Sequence, residues 1–125
     1  MDFIEKSPTC YHAAAALKAA LKEQGFQELE ETAHWNLDSG KGYFVTRNDS
    51  SLIAFRIPEH LSQGFHIVAS HCDSPSFKIK EFPEMTVENH YVKLNTERYG
   101  GMILYSWLDR ALSVARSEER RVGKC

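Results

Sequence analysis

The run Phe65-His66-Ile67-Val68-Ala69 leads directly into His71-Cys72-Asp73-Ser74-Pro75. Apolar on both faces, it suits a central strand covered from either side, as in a sheet with helices on both faces. Its end carries an imidazole and a carboxylate, and open α/β sheets keep their chemistry at strand ends. A neutral imidazole is a common zinc ligand, and a carboxylate two residues on can orient it. The plainer readings are a satisfied polar histidine and an Asp-Ser-Pro turn or helix cap.

Elsewhere the pattern is that of an ordinary domain. Ser7-Pro8-Thr9 is a helix start, and Ala13, Ala16, Leu17, Ala20 and Leu21 recur at helical spacing. The spacing predicts a helix from about Tyr11 to Gln24, stopped by Gly25. Phe26 to Glu31 is of mixed polarity and leads to Trp35. Gly42 to Arg47 and Ser51 to Ile57 read as strands around a hairpin turn at Asn48-Asp49-Ser50. Pro58 to Gln63 is a polar loop. Ser76 to Lys80 and Tyr91 to Asn95 alternate as half-exposed strands. Tyr99-Gly100-Gly101 is a tight turn or a close backbone approach. Met102 to Leu108, apolar and aromatic, suits another strand. Trp35, Trp107 and the tyrosines are expected in core or interface positions.

Composition excludes several classes. A net charge of −2 gives no electrostatic case for nucleic acid or an anionic membrane. No apolar run approaches the roughly 20 residues of a membrane helix, and the acidic, mixed N-terminus lacks a signal-peptide core. The 3 cysteines, Cys10, Cys72 and Cys125, are odd in number and have no metal-binding spacing. They favour a reducing, cytoplasmic setting.

Taken in order, several blocks resemble the N-terminal part of the aspartyl aminopeptidase family, co-catalytic zinc enzymes that remove N-terminal Asp or Glu. Asp2-Phe3-Ile4 through Ser7-Pro8-Thr9 to Tyr11-His12-Ala13 is similar to the family's opening helix. Gly25-Phe26 with Leu29-Glu30 is similar to its first turn. Gly42 to Asn48 with Ser51 to Phe55 is similar to its first hairpin. His71-Cys72-Asp73-Ser74-Pro75 with Ser76 to Lys80 resembles its His-x-Asp-Ser-Pro metal segment. Tyr99-Gly100-Gly101 with Trp107-Leu108-Asp109-Arg110 resembles the lead into its second domain. The resemblance spans roughly residues 2 to 116.

The resemblance implies a partial α/β/α sandwich over residues 1–80 and the start of an inserted β-rich domain over 81–116. It makes His71 a zinc ligand and Asp73 the carboxylate supporting the site. It implies two zinc ions per subunit, a peptide substrate and a dodecamer in the intact enzyme. There the metal pair would polarise the scissile carbonyl and lower the pKa of a shared water, and a glutamate would take its proton. The bridging aspartate, that glutamate and the remaining ligands fall beyond residue 125, so this chain is expected to be inactive alone. With a missing half-core and an unpaired sheet edge, it is also expected to be marginally stable. Acidic selectivity calls for a cationic group in the pocket, a role that nothing assigns to Lys78 or Lys80.

This chain departs from the family pattern at Cys72, at Ala111 and after Arg116. Residues 117–125 read Ser-Glu-Glu-Arg-Arg-Val-Gly-Lys-Cys, which suggests a tail foreign to the family, such as a vector or adapter junction. Asp109 beside Arg110 is expected to be structural. His12, His34, His60, His66 and His90 are scattered and assigned to no metal, with His66 expected to pack or hydrogen-bond within its strand. Two other functions stay open. One is a non-catalytic oligomerisation or binding module using a sheet edge. The other is a thiol hydrolase built on Cys72 and His71, although strand alternation should turn Cys72 away from its neighbours.

Overall fold

The computed structural model describes residues 2–60 and 64–116. The tail at 117–125, Cys125 included, and the end of the polar loop lie outside the described residues. The chain divides into two compact units, one containing the residues up to Asp73 and the other Ser74–Val114.

The first unit begins with the short helix α1 (Asp2–Glu5) and the longer α2 (Cys10–Glu23). Thr9 caps α2. Its Oγ1 accepts from the His12 backbone N–H at 3.4 Å and lies 2.8 Å from the His12 ring Nδ1, so one otherwise unpaired helix donor is satisfied. Gly25 follows the helix with φ +77°, a conformation glycine adopts without strain. The strands β1 (Gln27–Glu28), β2 (Gly42–Arg47) and β3 (Ser51–Arg56) form a sheet in the order β1-β2-β3. β1 runs parallel to β2 and β3 antiparallel to it. The β2–β3 turn is tight because Asn48 and Asp49 both take positive φ, 51° and 50°.

β2 is the heart of this unit. Tyr43 and Phe44 point to opposite faces, yet they are 1% and 0% exposed. On the Tyr43 side, Phe55 lies 5.9 Å away and Trp35 stacks on Phe55 at 6.1 Å. The Tyr43 hydroxyl accepts from the Asp38 backbone N–H at 2.8 Å. α2 packs against β3 and β1, the strands that flank β2, and buries Ala13 and Ala14. Gly42 is glycine because the Phe26 ring occupies the place of a side chain: a Cβ there would stand 2.6 Å from it. Arg56, opposite Gly42, lies over the same ring at 5.3 Å.

Two lysines on α2, Lys18 and Lys22, hold the Glu28 carboxylate on β1, Lys22 at 2.8 Å. The hydrogen bond from Lys18, then that from Lys22, lowers the Glu28 pKa below its ordinary 4.5. A carboxylate with a depressed folded pKa adds stability above its unfolded pKa and loses it as pH falls through the folded value. The cluster is largely open to solvent, with the Lys22 side chain 54% exposed, so its worth is about 0.2–1 kcal/mol. Glu28→Gln is expected to lower the melting temperature slightly at pH 7 and to make no difference near pH 2. Equal melting of the two proteins at pH 7 would show that the clamp contributes nothing.

The second unit is a β-hairpin followed by a 3₁₀ turn. β4 (Ser76–Val87) and β5 (Tyr91–Tyr99) pair antiparallel. The register shifts between Ile79 and Glu84, so Lys80 to Pro83 bulge from β4. Asn95 Nδ2 donates to the Phe82 carbonyl at 3.1 Å and satisfies one acceptor in the bulge. Trp107 meets the Phe77 ring edge-on at 5.5 Å. Gly100, at φ +79°, sits against Pro75, where a Cβ would be 3.3 Å from the Pro75 Cα. The close approach expected at Tyr99-Gly100-Gly101 is therefore found there.

Several expectations are corrected. Phe65 to Ala69 is not a strand. It carries no ladder, and Phe65 and Val68 are 92% and 99% exposed. A run apolar on both faces needs a strand beside it and layers above and below, and the described residues provide neither. His66 is exposed with the rest. Met102 to Leu108 contains a 3₁₀ helix, Leu104–Trp107, in place of a strand. Phe26 to Glu31 contains β1. β4 and β5 each extend beyond the alternating cores at Ser76 to Lys80 and Tyr91 to Asn95, because they pair with each other for most of their length.

Candidate functional site

The local geometry of the His71 segment is set by Asp73. The His71 Nδ1 lies 2.7 Å from the Asp73 backbone carbonyl oxygen and 3.1 Å from the carboxylate Oδ1. Both oxygens accept, so in the neutral ring Nδ1 carries the proton and donates. Nε2 is then left with the lone pair, the form in which histidine binds a metal. The ring is exposed, while Cys72 and Asp73 are half-buried.

The structure thus brings His71 and Asp73 together as a pair. It adds no third member, because among the described residues no group of three His, Cys, Asp or Glu side chains could hold a metal ion. A structural or catalytic zinc needs at least three protein ligands. The donor set fits one ligand and its orienting partner, and the described residues alone do not complete a zinc site. Asp109 has a left-handed backbone, φ +57°, which aspartate tolerates better than most residues, and it joins no such group. Cys10 and Cys72 are free thiols. Lys78 Nζ faces Glu97 Oε1 at 3.9 Å on the hairpin.

The sequence pointed to the Asp73 side chain as the partner of His71. The shorter contact is to the Asp73 carbonyl, which no sequence signal marks because every residue has one.

These elements define an α/β protein in which Asp73 holds the His71 ring at Nδ1. The chain belongs to the aminopeptidase I zinc metalloprotease (M18) family, whose model matches residues 3–117. It is 51% identical over 117 residues to the probable M18 family aminopeptidase 2 of Clostridium novyi, a match covering 92% of this chain and 27% of that protein. Among solved structures it is similar to a chain of the Ape4 and Nbr1 complex, with TM-score 0.81 and 41% identity over 87% of this chain and 21% of that one. It is also similar to the S. cerevisiae mApe1 dodecamer, with TM-score 0.67 and 26% identity over 87% of this chain and 26% of that one. The chain therefore spans about a quarter of the length of the proteins it matches.

No helix among the described residues is long and apolar enough to cross a membrane.

Proposed function

We propose that this chain is the N-terminal portion of a cytoplasmic zinc metallo-aminopeptidase that removes Asp or Glu from the N-termini of peptides and works as a homo-oligomer. The observation that carries the reading is the His71–Asp73 pair, with Nδ1 held at 2.7 Å by the Asp73 carbonyl, in a chain of a zinc metalloprotease family. His71 Nε2 would be one zinc ligand. The Asp73 carbonyl and carboxylate would hold the ring in place and make it a better donor. When bound, zinc supplies the Lewis acidity that polarises a scissile carbonyl and acidifies a water. The other ligands and the general base would come from outside this chain. Free Cys10 and Cys72 suit the cytoplasm. The dodecameric relative supports the oligomer.

The test is a chimera in which residues 3–117 replace the matching part of the Clostridium novyi relative, compared with the 125-residue chain. The chimera is expected to bind about two zinc ions per chain and to hydrolyse an aspartyl anilide faster than a leucyl anilide. The chain alone should do neither. Tight zinc or activity in the chain alone would mean that it completes a site by itself. An inactive, zinc-free chimera that is folded would favour the binding-module reading. A preference for the leucyl substrate would overturn the acidic specificity alone.

A further inference from the structure

We propose that β5 is a docking edge for a second copy of this chain, paired antiparallel to its own β5 about a two-fold axis at Asn95. The inference deepens the homo-oligomer reading and rests on it.

The hairpin has two outer edges, and they differ. Among the described residues no third strand pairs with β4 or β5. The β4 edge is blunted by the Lys80 to Pro83 bulge and by Pro83 itself, which has no N–H to offer a neighbour. β5 carries no proline, and its register is continuous from Tyr91 to Leu94 and from Thr96 to Tyr99. Edges left regular in this way are templates for another strand.

The sequence of β5 is complementary to itself when reversed. Centred on Asn95, Lys93 of one copy faces Glu97 of the other, and Glu97 faces Lys93. Leu94 then faces Thr96, and Val92 faces Arg98. Such an isologous contact makes each pair twice. Lys93 and Glu97 lie on the same face of β5, as does Asn95. Lys78 is already opposite Glu97 within the hairpin, so docking would place Glu97 between two lysines. Centring the axis on Leu94 sets Lys93 against Asn95, and centring it on Thr96 sets Lys93 against Tyr99. Both leave the charge pairs unmade. On the other face Val92 and Leu94 are exposed, and pairing would bring them beside the second copy's Arg98 and Thr96, whose aliphatic parts can cover them.

Two measurements on the 125-residue chain test this. The first is disulfide trapping of Asn95→Cys with Cys10, Cys72 and Cys125 changed to Ser. Directly opposed Cβ atoms lie about 4.5–5.5 Å apart, within small adjustment of disulfide reach. Oxidation should join the introduced thiols of two chains in a disulfide, identified by peptide mass whatever the size of the assembly. The second is sedimentation of Lys93→Glu and of Lys93→Glu with Glu97→Lys. The single change sets like charges opposite each other and should weaken association on the order of tenfold. The double change restores complementarity and should restore association. Association without the link, or association indifferent to the charge changes, would overturn this surface and leave the homo-oligomer reading standing. A chain that stays monomeric at all concentrations and gives no link would overturn this surface too, whereas the homo-oligomer reading of the intact enzyme falls only if the folded chimera itself sediments as a monomer.

Discussion

Phe44→Ala is expected to abolish cooperative unfolding of this chain at room temperature. Phe44 is 0% exposed and stands on the central strand of the β1-β2-β3 sheet. Removing a buried phenylalanine side chain typically costs about 3–5 kcal/mol, because transfer energy is lost and a cavity remains. Whole domains are held by only about 5–15 kcal/mol. This chain has little to spare, since its buried apolar residues among those described are Ala13, Ala14, Tyr43 and Phe44. Tyr43→Phe is the matched control. It keeps the ring against Phe55 and loses only the hydroxyl that accepts from Asp38 N–H, a cost of about 1 kcal/mol. Urea melts followed by circular dichroism distinguish the two. A Phe44→Ala protein that melts within about 1 kcal/mol of the parent would show that the core lies elsewhere.

The elements legible in the sequence are those specified by local chemistry. Thr9 caps α2, Gly25 follows it, and the Asn48-Asp49 turn fixes the pairing of β2 with β3. β1 was not legible because it is two residues long and its parallel partner is distant along the chain. Met102 to Leu108 advertised packing, which Trp107 does make with Phe77, but composition alone carries no period to separate a 3₁₀ turn from a strand. Phe65 to Ala69 fails for a different reason. Its pattern describes neighbours, and the described residues do not supply them. A run whose hydrophobicity encodes cover on both faces does not form a strand where that cover is lacking. The site was legible to the same depth. His71 and Asp73 were recognisable as residue types at a strand-like end, whereas the Asp73 carbonyl that sets the ring was not.

That carbonyl makes the two site substitutions unequal. In the active chimera, His71→Ala removes the proposed ligand, so loss of one zinc and of activity by roughly a thousandfold or more is expected. Asp73→Asn removes a charge but keeps the backbone carbonyl, which provides the nearer contact to Nδ1, 2.7 Å against 3.1 Å for Oδ1. The amide oxygen can also still accept from the ring. The tautomer should therefore survive, and zinc affinity should fall only about tenfold, the low end for loss of a partner that orients a ligand. Asp73→Ala loses the side-chain contact altogether and should fall further, towards about a hundredfold. Chelator competition reads zinc affinity directly, and initial rates on the aspartyl substrate read the chemistry. If Asp73→Asn is as damaging as His71→Ala, Asp73 acts on the metal or the substrate itself and not through the imidazole. If both are silent in an active chimera, His71 is a polar surface residue and the zinc is held elsewhere.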